Sequence, residues 1–481
     1  MDAKFIIKTM EQPSSDTLSK IFDVIMTPQA VWGTWLVIQI IMGANLLLGH
    51  HYSDPEFYQY AGYFAQGKLP YINFSVEYPP LALILILLPA LPLLLFPQIT
   101  PHPYPAITAI SVADPRVQAY GIAFGVMMSL VSAFTLFAVM RCAKALNIRR
   151  RAAIESGYVY TLLTLATGAI LQKFELVVGV LMLLAVVDLA RKREGSAWFW
   201  LAMATLIKGY PILLAPLFII WMLLRGRFTV KTIAYSALGG SIASAALTLP
   251  FIIRSGIQPF IHAIMYHVNR GVEIETIWSS VMMVISWVNQ TVPSSYYNPA
   301  DLSDDIWSPA GAAVLSLATP LLLAAVIWGY IMLTRRLKAI NDLKIFELIK
   351  QQESAMILTH VSLIIVLAFL LTFRALGSHY LVDALPLLAV LRLPRKGTWL
   401  PLALLTVGFV LGQFVITVFP QLLALDPNAE ALLLWRNIFL VSGFIFFIRA
   451  QVLPAPKEVR ALASENILTL KPQPEKAAAS V

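Results

Sequence analysis

Acidic and aromatic residues are dense in the segment that follows the first long apolar run of the chain. Its members are Asp54-Pro55-Glu56, Tyr58, Tyr60 and Glu77-Tyr78-Pro79-Pro80. A carboxylate such as Asp54, placed where a membrane meets water, can take a proton from a hydroxyl group. Aromatic rings beside it suit an amphipathic ligand, with a sugar against the ring and a lipid in the bilayer. The segment is therefore predicted to bind an amphipathic substrate beside Asp54 as a base.

The two outermost carboxylates of this segment also have structural roles open to them. Asp54 directly before Pro55 fits a helix N-cap followed by proline at the first helical position. Glu77 could fix the loop or cap the helix that follows. For Asp54 we favour the catalytic role because of the residues around it, whereas for Glu77 both roles stay open.

Further charged and aromatic residues lie at the ends of apolar runs. Lys208 is in a setting where a buried cation is costly, which favours a functional role, although its side chain could reach the lipid headgroups. Lys173 and Glu175 could bind a substrate or pair with each other. The remaining candidates for substrate binding are Tyr210, Arg254, His267, Arg270, Arg374, His379 and Tyr380. Glu273, Glu275 and the stretch from Asp301 to Asp305 are expected to be solvated loop.

Metal-ligand patterns are weak in this chain. His262 and His267 are five residues apart, which is not the spacing of a helical zinc pair. The single cysteine, Cys142, excludes an internal disulfide and a cysteine-based metal site. Only the carboxylates of Asp54, Glu56, Glu77 and Glu175 could form an oxygen-ligand site. We predict that the protein uses no metal and no cofactor.

The composition requires a membrane as solvent. Of 481 residues, 58% are hydrophobic and 13% are charged, whereas a soluble domain is about half apolar and about a quarter charged. The formal net charge is +9, but most Lys and Arg residues lie in short clusters between apolar runs. That distribution is typical of cytoplasmic loops of membrane proteins, and it does not indicate a nucleic-acid partner.

These clusters predict an all-α, polytopic membrane protein with about twelve spans, because every cluster is placed on the cytoplasmic side. The spans are expected at 31–49, 117–140, 154–170, 176–190, 197–207, 210–224, 231–253, 310–333, 355–373, 380–393, 398–419 and 433–450. Two further apolar segments, Leu81 to Phe96 and Ile277 to Val288, have outer flanks on both sides and are predicted to lie in the outer interface. Most of the unusual polar residues then fall on outer loops.

The chain divides into three parts in this scheme. Residues 1–30 are expected to be a cytoplasmic amino-terminal segment, and residues 31–450 the transmembrane domain. Residues 451–481 are rich in Pro, Lys, Glu and Ala and are expected to be a disordered cytoplasmic tail. We predict a multi-pass protein of the plasma (cell inner) membrane whose chemistry faces outward.

Three segments resemble the polytopic glycosyltransferases that use polyprenyl-phosphate sugars, particularly the glycosyltransferase family 87 mannosyltransferase type. They are the loop with Asp54 and Glu77-Tyr78-Pro79-Pro80, the triplet Lys173-Phe174-Glu175, and Lys208-Gly209-Tyr210-Pro211. The triplet departs from the family pattern, which often ends in Asp where this chain has Glu175. The resemblance covers roughly the first 225 residues by motif, and the remainder by hydropathy alone.

The resemblance implies a GT-C-like fold and a transfer reaction. It places the catalytic base on Asp54 and makes a polyprenyl-phosphate sugar the donor, with a hexose such as mannose as the group transferred. The acceptor would be a hydroxyl of a glycolipid, a glycan or a protein. Positive charge or hydrogen-bond donors near the leaving phosphate are needed. Candidates for that role are Lys208, Arg254, Arg270, Arg374, His262, His267 and His379.

Two other classes of protein stay as alternatives. A transporter or lipid-linked-sugar flippase predicts charged residues near the middle of spans and a repeated topology, and neither is evident in the sequence. A non-catalytic scaffold is disfavoured by the Asp54 loop. The lack of a phosphate-binding loop argues against a nucleotide-driven pump.

Overall fold

The structure, a computed structural model, describes ten stretches of the chain and is about 78% helical. The stretches are residues 24–48, 54–146, 151–259, 261–262, 265, 271–298, 303–308, 311–341, 347–391 and 399–449. The predicted tail and most of the amino-terminal segment lie outside them. The all-α prediction is confirmed in its main feature, since almost every described element is a helix.

Seventeen described α-helices follow one another along the chain. They are α1 Pro28–Leu48, α2 Pro55–Ala65, α3 Pro80–Leu87, α4 Pro115–Leu146, α5 Ala152–Thr167, α6 Glu175–Ala190, α7 Glu194–Thr205, α8 Ala215–Leu224, α9 Val230–Ser255, α10 Ile277–Val288, α11 Gly311–Ser316, α12 Ala318–Asn341, α13 Glu347–Thr372, α14 Leu385–Val390, α15 Trp399–Thr417, α16 Phe419–Leu423 and α17 Pro427–Arg449. Short 3-10 helices are Leu88–Leu95, Ile107–Ala109, Ala169–Leu171, Tyr210–Leu214 and Ser378–Ala384.

Among the described residues, seven helices are long and apolar enough to cross a membrane. They are Pro28–Leu48, Pro115–Leu146, Val230–Ser255, Ala313–Ile340, Lys350–Thr372, Trp399–Thr417 and Pro427–Arg449. Helices also lie at the other five predicted spans, but they are shorter than a single crossing requires. The chain is thus a helical, multi-pass membrane protein by length and composition. The apolar segments at 81–96 and 277–288 are also too short to span by that measure.

The candidate spans differ in how much of their surface other helices cover. In α13, 89% of the most apolar stretch is buried, whereas in α9 the fraction is 6%. A helix that is apolar all round and buried lies inside a bundle, and one that is apolar and uncovered faces lipid. Helix α9 therefore lies at the periphery, packed against α7 where Gly239 meets Gly195.

Two described strands depart from the all-α prediction. They are β1, Ser294–Asn298, and β2, Ser303–Trp307, which pair antiparallel with Ser294 opposite Trp307. On its other side β2 bonds to the segment before α10, where Ile306 N donates to Val272 O at 2.9 Å. The interpretation of this region as solvated loop is wrong for Asp305, which is fully buried in β2. The strands are short and polar, so no hydrophobic alternation marks them in the sequence.

Candidate functional site

Asp54 lies at the start of α2 and uses its two carboxylate oxygens differently. Oδ1 accepts a hydrogen bond from Glu56 N at 3.2 Å, and Pro55 occupies the first helical position. The capping role considered from the sequence is therefore confirmed. Oδ2 accepts a hydrogen bond from Lys173 Nζ, which also forms an ion pair with Asp54. Capping thus occupies one oxygen and leaves the other for the site.

Lys173 joins the first loop to the segment before α6. Its ammonium group lies 5.5 Å from the centroid of the Phe57 ring, and Phe57 stacks on Phe174 at 5.3 Å. Burial alone would lower the pKa of Lys173, but the carboxylates of Asp54 and Glu175 outweigh burial and raise that pKa above its usual range. Lys173 therefore stays a cation and fixes a positive charge beside Asp54.

Two further carboxyl groups lie behind Asp54. Glu56 is 8% exposed, and its side chain hydrogen-bonds to that of Glu77. Burial raises the pKa of Glu56 well above its usual 4.5, and the negative charges of Glu77 and Asp54 raise it further. Burial and the neighbouring negative charges therefore both favour the protonated form of Glu56. Glu56 and Glu77, both candidates for substrate binding, are thus brought together, and the charge of Asp54 acts on Glu56.

The predicted aromatic residues divide into two groups. Tyr78 packs edge-on against Phe57 and Phe174 at 5.9 and 5.6 Å and so lines the Asp54–Lys173 pair. Tyr60 is buried and stacks on Phe74 at 5.8 Å. Tyr58 instead accepts a hydrogen bond from His102 N at 3.1 Å. That contact gives Tyr58 a structural role, because it ties α2 to the segment that follows the 3-10 helix Leu88–Leu95.

A second charged cluster forms around Glu175, two residues after Lys173 in the sequence. Lys208 Nζ is 2.9 Å from Glu175 Oε1 and 3.3 Å from Asp383 Oδ2, and it lies 4.0 Å from the centroid of the Tyr380 ring. We call Glu175, Lys208 and Asp383 the charged triad. The alternative that Lys173 and Glu175 are each other's ion-pair partners is wrong, since they bind Asp54 and Lys208. Snorkelling of Lys208 is also wrong, because its side chain is 12% exposed.

The triad is held together by close helix packing. A Cβ atom on Gly179, one turn into α6, would lie 2.6 Å from the carbonyl oxygen of Asp383. Glycine therefore lets the 3-10 helix Ser378–Ala384 approach α6 closely enough for Asp383 to reach Lys208. Asp383 was not among the sequence candidates. Its signal was a lone carboxylate inside an apolar run, which is costly in a membrane protein unless it is paired.

The segment that was predicted to contact substrate, from Arg374 to Tyr380, reaches the triad through His379 and Tyr380. His379 Nε2 is 3.8 Å from Glu175 Oε1, and the His379 and Tyr380 rings are 4.4 Å apart. The carbonyl oxygen of Arg374 accepts a hydrogen bond from Glu273 N at 2.9 Å. Arg254 is exposed in the last turn of α9 and forms no hydrogen bond or ion pair with another described residue. His267 and Arg270 lie outside the described residues.

A third polar cluster was missed from the sequence. Ser378 Oγ donates to Glu275 Oε1 at 2.8 Å, and Arg436 Nη1 donates to Glu275 O at 2.7 Å. Arg436 is fully buried within α17, a candidate span. Glu275 is therefore not a solvated loop residue, and the sequence-based statement that charged residues are lacking inside spans is wrong. The signal of Arg436 in the sequence was a lone arginine inside an apolar run, the same kind of signal as that of Asp383.

Comparison of the sequence with protein-family models gave no match, and comparison with curated proteins gave none. Among the described residues, no group of three His, Cys, Asp or Glu side chains is arranged to hold a metal ion. The oxygen-ligand site that Asp54, Glu56, Glu77 and Glu175 could have formed is not found among these described residues. What the geometry provides is a general base candidate, a neighbouring cation and a buried set of hydrogen-bond acceptors.

Proposed function

We propose that this protein is a membrane glycosyltransferase that moves a hexose from a polyprenyl-phosphate donor to an acceptor hydroxyl, with Asp54 as general base. One observation carries the proposal. The three segments that resemble such enzymes are far apart in the sequence, yet they meet through the ion pairs Asp54–Lys173 and Glu175–Lys208. Segments that happen to match a pattern by chance have no reason to converge on one site.

The proposed reaction is a direct displacement at the anomeric carbon. Asp54 takes the proton of the acceptor hydroxyl while the acceptor oxygen forms a bond to that carbon. The bond between the anomeric carbon and the phosphate oxygen breaks, and the electron pair leaves with the polyprenyl phosphate. Negative charge on Asp54 falls as it takes the proton, while negative charge develops on the departing phosphate oxygen, where a nearby cation such as Lys173 stabilises it.

Because of the charged triad, the residues proposed to bind the leaving phosphate differ from the candidates named from the sequence. Lys208 was a candidate, but its ammonium group is already engaged by Glu175 and Asp383. Two carboxylates beside it would repel a phosphate. The proposal therefore gives the phosphate to Lys173, which among the described residues pairs with one carboxylate, that of Asp54, and not with two; Arg374 and His379 stay as further candidates.

The same proposal includes the number and arrangement of the membrane spans. The protein has about twelve spans in a GT-C-like arrangement, and the short helices are counted as crossings that line a cavity. The site faces the outside of a plasma (cell inner) membrane, and mannose is the first sugar to test. The acceptor is a glycolipid, a glycan or a protein hydroxyl, and the lipid part of the donor reaches the site from the bilayer.

Purified protein in lipid nanodiscs, incubated with synthetic polyprenyl-phosphate mannose and a membrane extract as acceptor, tests this function. We expect Asp54→Asn to lower transfer about 100- to 10,000-fold, the usual contribution of a general base. Asp114→Asn is the matched control. Asp114 also precedes a proline at a helix start, accepts a hydrogen bond from Arg116 N and pairs with that arginine. Equal transfer by wild type and Asp54→Asn would remove Asp54 from the mechanism.

A transporter is the second candidate, and two observations favour it. Asp383 and Arg436 are fully buried charged residues in apolar helices, and such residues commonly mark transport pathways. The same nanodisc assay separates the two functions. Absence of transfer with every polyprenyl-phosphate sugar tried would favour a transporter or flippase over an enzyme.

A further inference from the structure

Three buried oxygen atoms around the charged triad have no hydrogen-bond partner among the described residues. They are Glu175 Oε2, Asp383 Oδ1 and the Tyr210 hydroxyl. The Tyr210 hydroxyl lies beside the Asp383 carboxylate, but the two are not in ordinary hydrogen-bond geometry. Buried acceptors are almost always satisfied, and leaving one unpaired is costly. Three such atoms at one place indicate a binding site for a ligand that donates hydrogen bonds.

The charge of the triad decides which ligand fits. Lys208 balances one of the two carboxylates and is itself engaged by both of them and by the Tyr380 ring. An anion would be repelled by the oxygens that remain. A second cation would lie close to the Lys208 ammonium group. A neutral polyol is suited to the place, because each of its hydroxyls can donate to a carboxylate and such charge-assisted bonds are strong.

We propose that Glu175, Asp383 and Tyr210 form a subsite that accepts hydrogen bonds from the hydroxyls of a hexose. This inference rests on the proposed glycosyl transfer and assigns the sugar-selecting part of that site. Lys208 is a positioning residue that holds the two carboxylates in place. Asp54 and Lys173 belong to the reacting end, and Glu175 connects the two because it lies two residues after Lys173.

Binding of polyprenyl-phosphate mannose and of its monodeoxy analogues to nanodisc-embedded protein tests the subsite. We expect Asp383→Asn to weaken binding of the full sugar about 10- to 100-fold, the usual effect of losing a bond to a charged group. The analogue that lacks the matching hydroxyl should show no further loss in the variant. Equal additional losses for every analogue would overturn the subsite.

Two further variants distinguish a loss of sugar binding from misfolding of the protein. Tyr210→Phe removes only a hydroxyl that forms no hydrogen bond of ordinary geometry and keeps the ring stacked on Phe369 at 4.5 Å, so it should fold and still lose selectivity at one hydroxyl. Glu194→Gln is the matched control for Glu175→Gln. Glu194 is also a buried carboxylate at the first position of a helix, and it pairs with Arg227 at 2.7 Å. Its replacement should leave sugar binding unchanged.

The outcomes separate this inference from the proposed function. If wild type binds no polyprenyl-phosphate sugar, the glycosyltransferase function fails and the subsite fails with it. Wild type could instead bind the donor, with Asp383→Asn, Tyr210→Phe and Glu175→Gln binding it equally well. In that case the subsite alone is wrong and the unpaired atoms hold only water. If the variants change the KM of the acceptor and not donor binding, the subsite belongs to the acceptor's sugar.

Discussion

At the scale of single residues, the site is a set of carboxyl groups that each have a different partner. Asp54 has Lys173, Glu175 has Lys208, and Glu56 has Glu77. Of these groups, Glu56 has a pKa raised by burial and by the charges of Glu77 and Asp54. Neighbouring acids of the same chemistry thus lie in different electrostatic surroundings, which is the arrangement that acid–base catalysis uses.

The raised pKa of Glu56 predicts a pH-dependent stability. Folded Glu56 binds its proton more tightly than Glu56 of the unfolded chain, where the pKa is near 4.5. The stabilisation that comes from this proton is therefore fully present below about pH 4.5 and is lost as the pH rises through the folded-state pKa. Glu56→Gln stays neutral, so its Tm relative to wild type should rise as the pH increases above about 4.5. Thermal unfolding in nanodiscs measures this difference.

A control variant separates this effect from loss of any buried carboxylate. Glu194 is buried and pairs with the cation of Arg227, so Glu194→Gln removes an ion pair and should lower Tm. Its difference from wild type is not expected to become more favourable with rising pH. Parallel curves for Glu56→Gln and wild type would show that Glu56 does not hold a proton against Glu77.

At the scale of elements, the site depends on how closely one 3-10 helix approaches α6. Gly179 faces both the Asp383 carbonyl oxygen and Pro386 Cδ, and an added Cβ would lie 2.6 and 2.8 Å from them. Backbone at this distance cannot be displaced without moving the whole element. The position of Asp383 therefore depends on a residue with no side chain.

Gly179→Ala should move Asp383 away from Lys208. We expect a loss of about 1–3 kcal/mol in the free energy of unfolding, as for other overpacked sites, together with weaker donor binding. Gly43→Ala is the control, because nothing lies within 4 Å of its added Cβ and alanine favours a helix by about 1 kcal/mol. A Gly179→Ala variant as stable as Gly43→Ala would show that the contact is not tight.

At the scale of the whole molecule, the basic clusters assign a side to each loop. The loop between α8 and α9 carries Arg225 and Arg227, Lys231 follows in the first turn of α9, and this loop should be cytoplasmic. The segment between α10 and β1 lies on the opposite side in the proposed topology, with the site. Val292 in that segment is 84% exposed, and Phe228 in the basic loop is 46% exposed, so both are accessible to reagents.

Cysteine labelling tests this orientation. In a Cys142→Ala background, Val292→Cys should react with a membrane-impermeant maleimide in intact cells. Phe228→Cys should react only after the membrane is permeabilised. The reverse pattern would place the candidate site on the cytoplasmic side and would contradict the extracytoplasmic transfer reaction.

The sequence by itself determined the class of the molecule and most of its helices. Apolar runs in a lipid solvent have few alternatives to the helix, because the backbone must satisfy its own hydrogen bonds there. The pattern of an aspartate before Pro55 located Asp54 at a helix start, and the apolar runs on either side located Lys208 at a break between them. These are local properties, and a local pattern is sufficient to reveal them.

Only the tertiary structure decided which charged residues pair with each other. Lys173 bonds to Asp54, 119 positions away, and Lys208 bonds to Asp383, 175 positions away. A periodic sequence pattern does not predict pairs so far apart in the chain. These pairs form because α6 packs closely at Gly179 and because α2 packs against Phe174. The partners of Arg436 and the burial of Asp305 escaped the sequence for the same reason. The charge of each carboxyl group, and hence the chemistry of the site, depends on these long-range contacts.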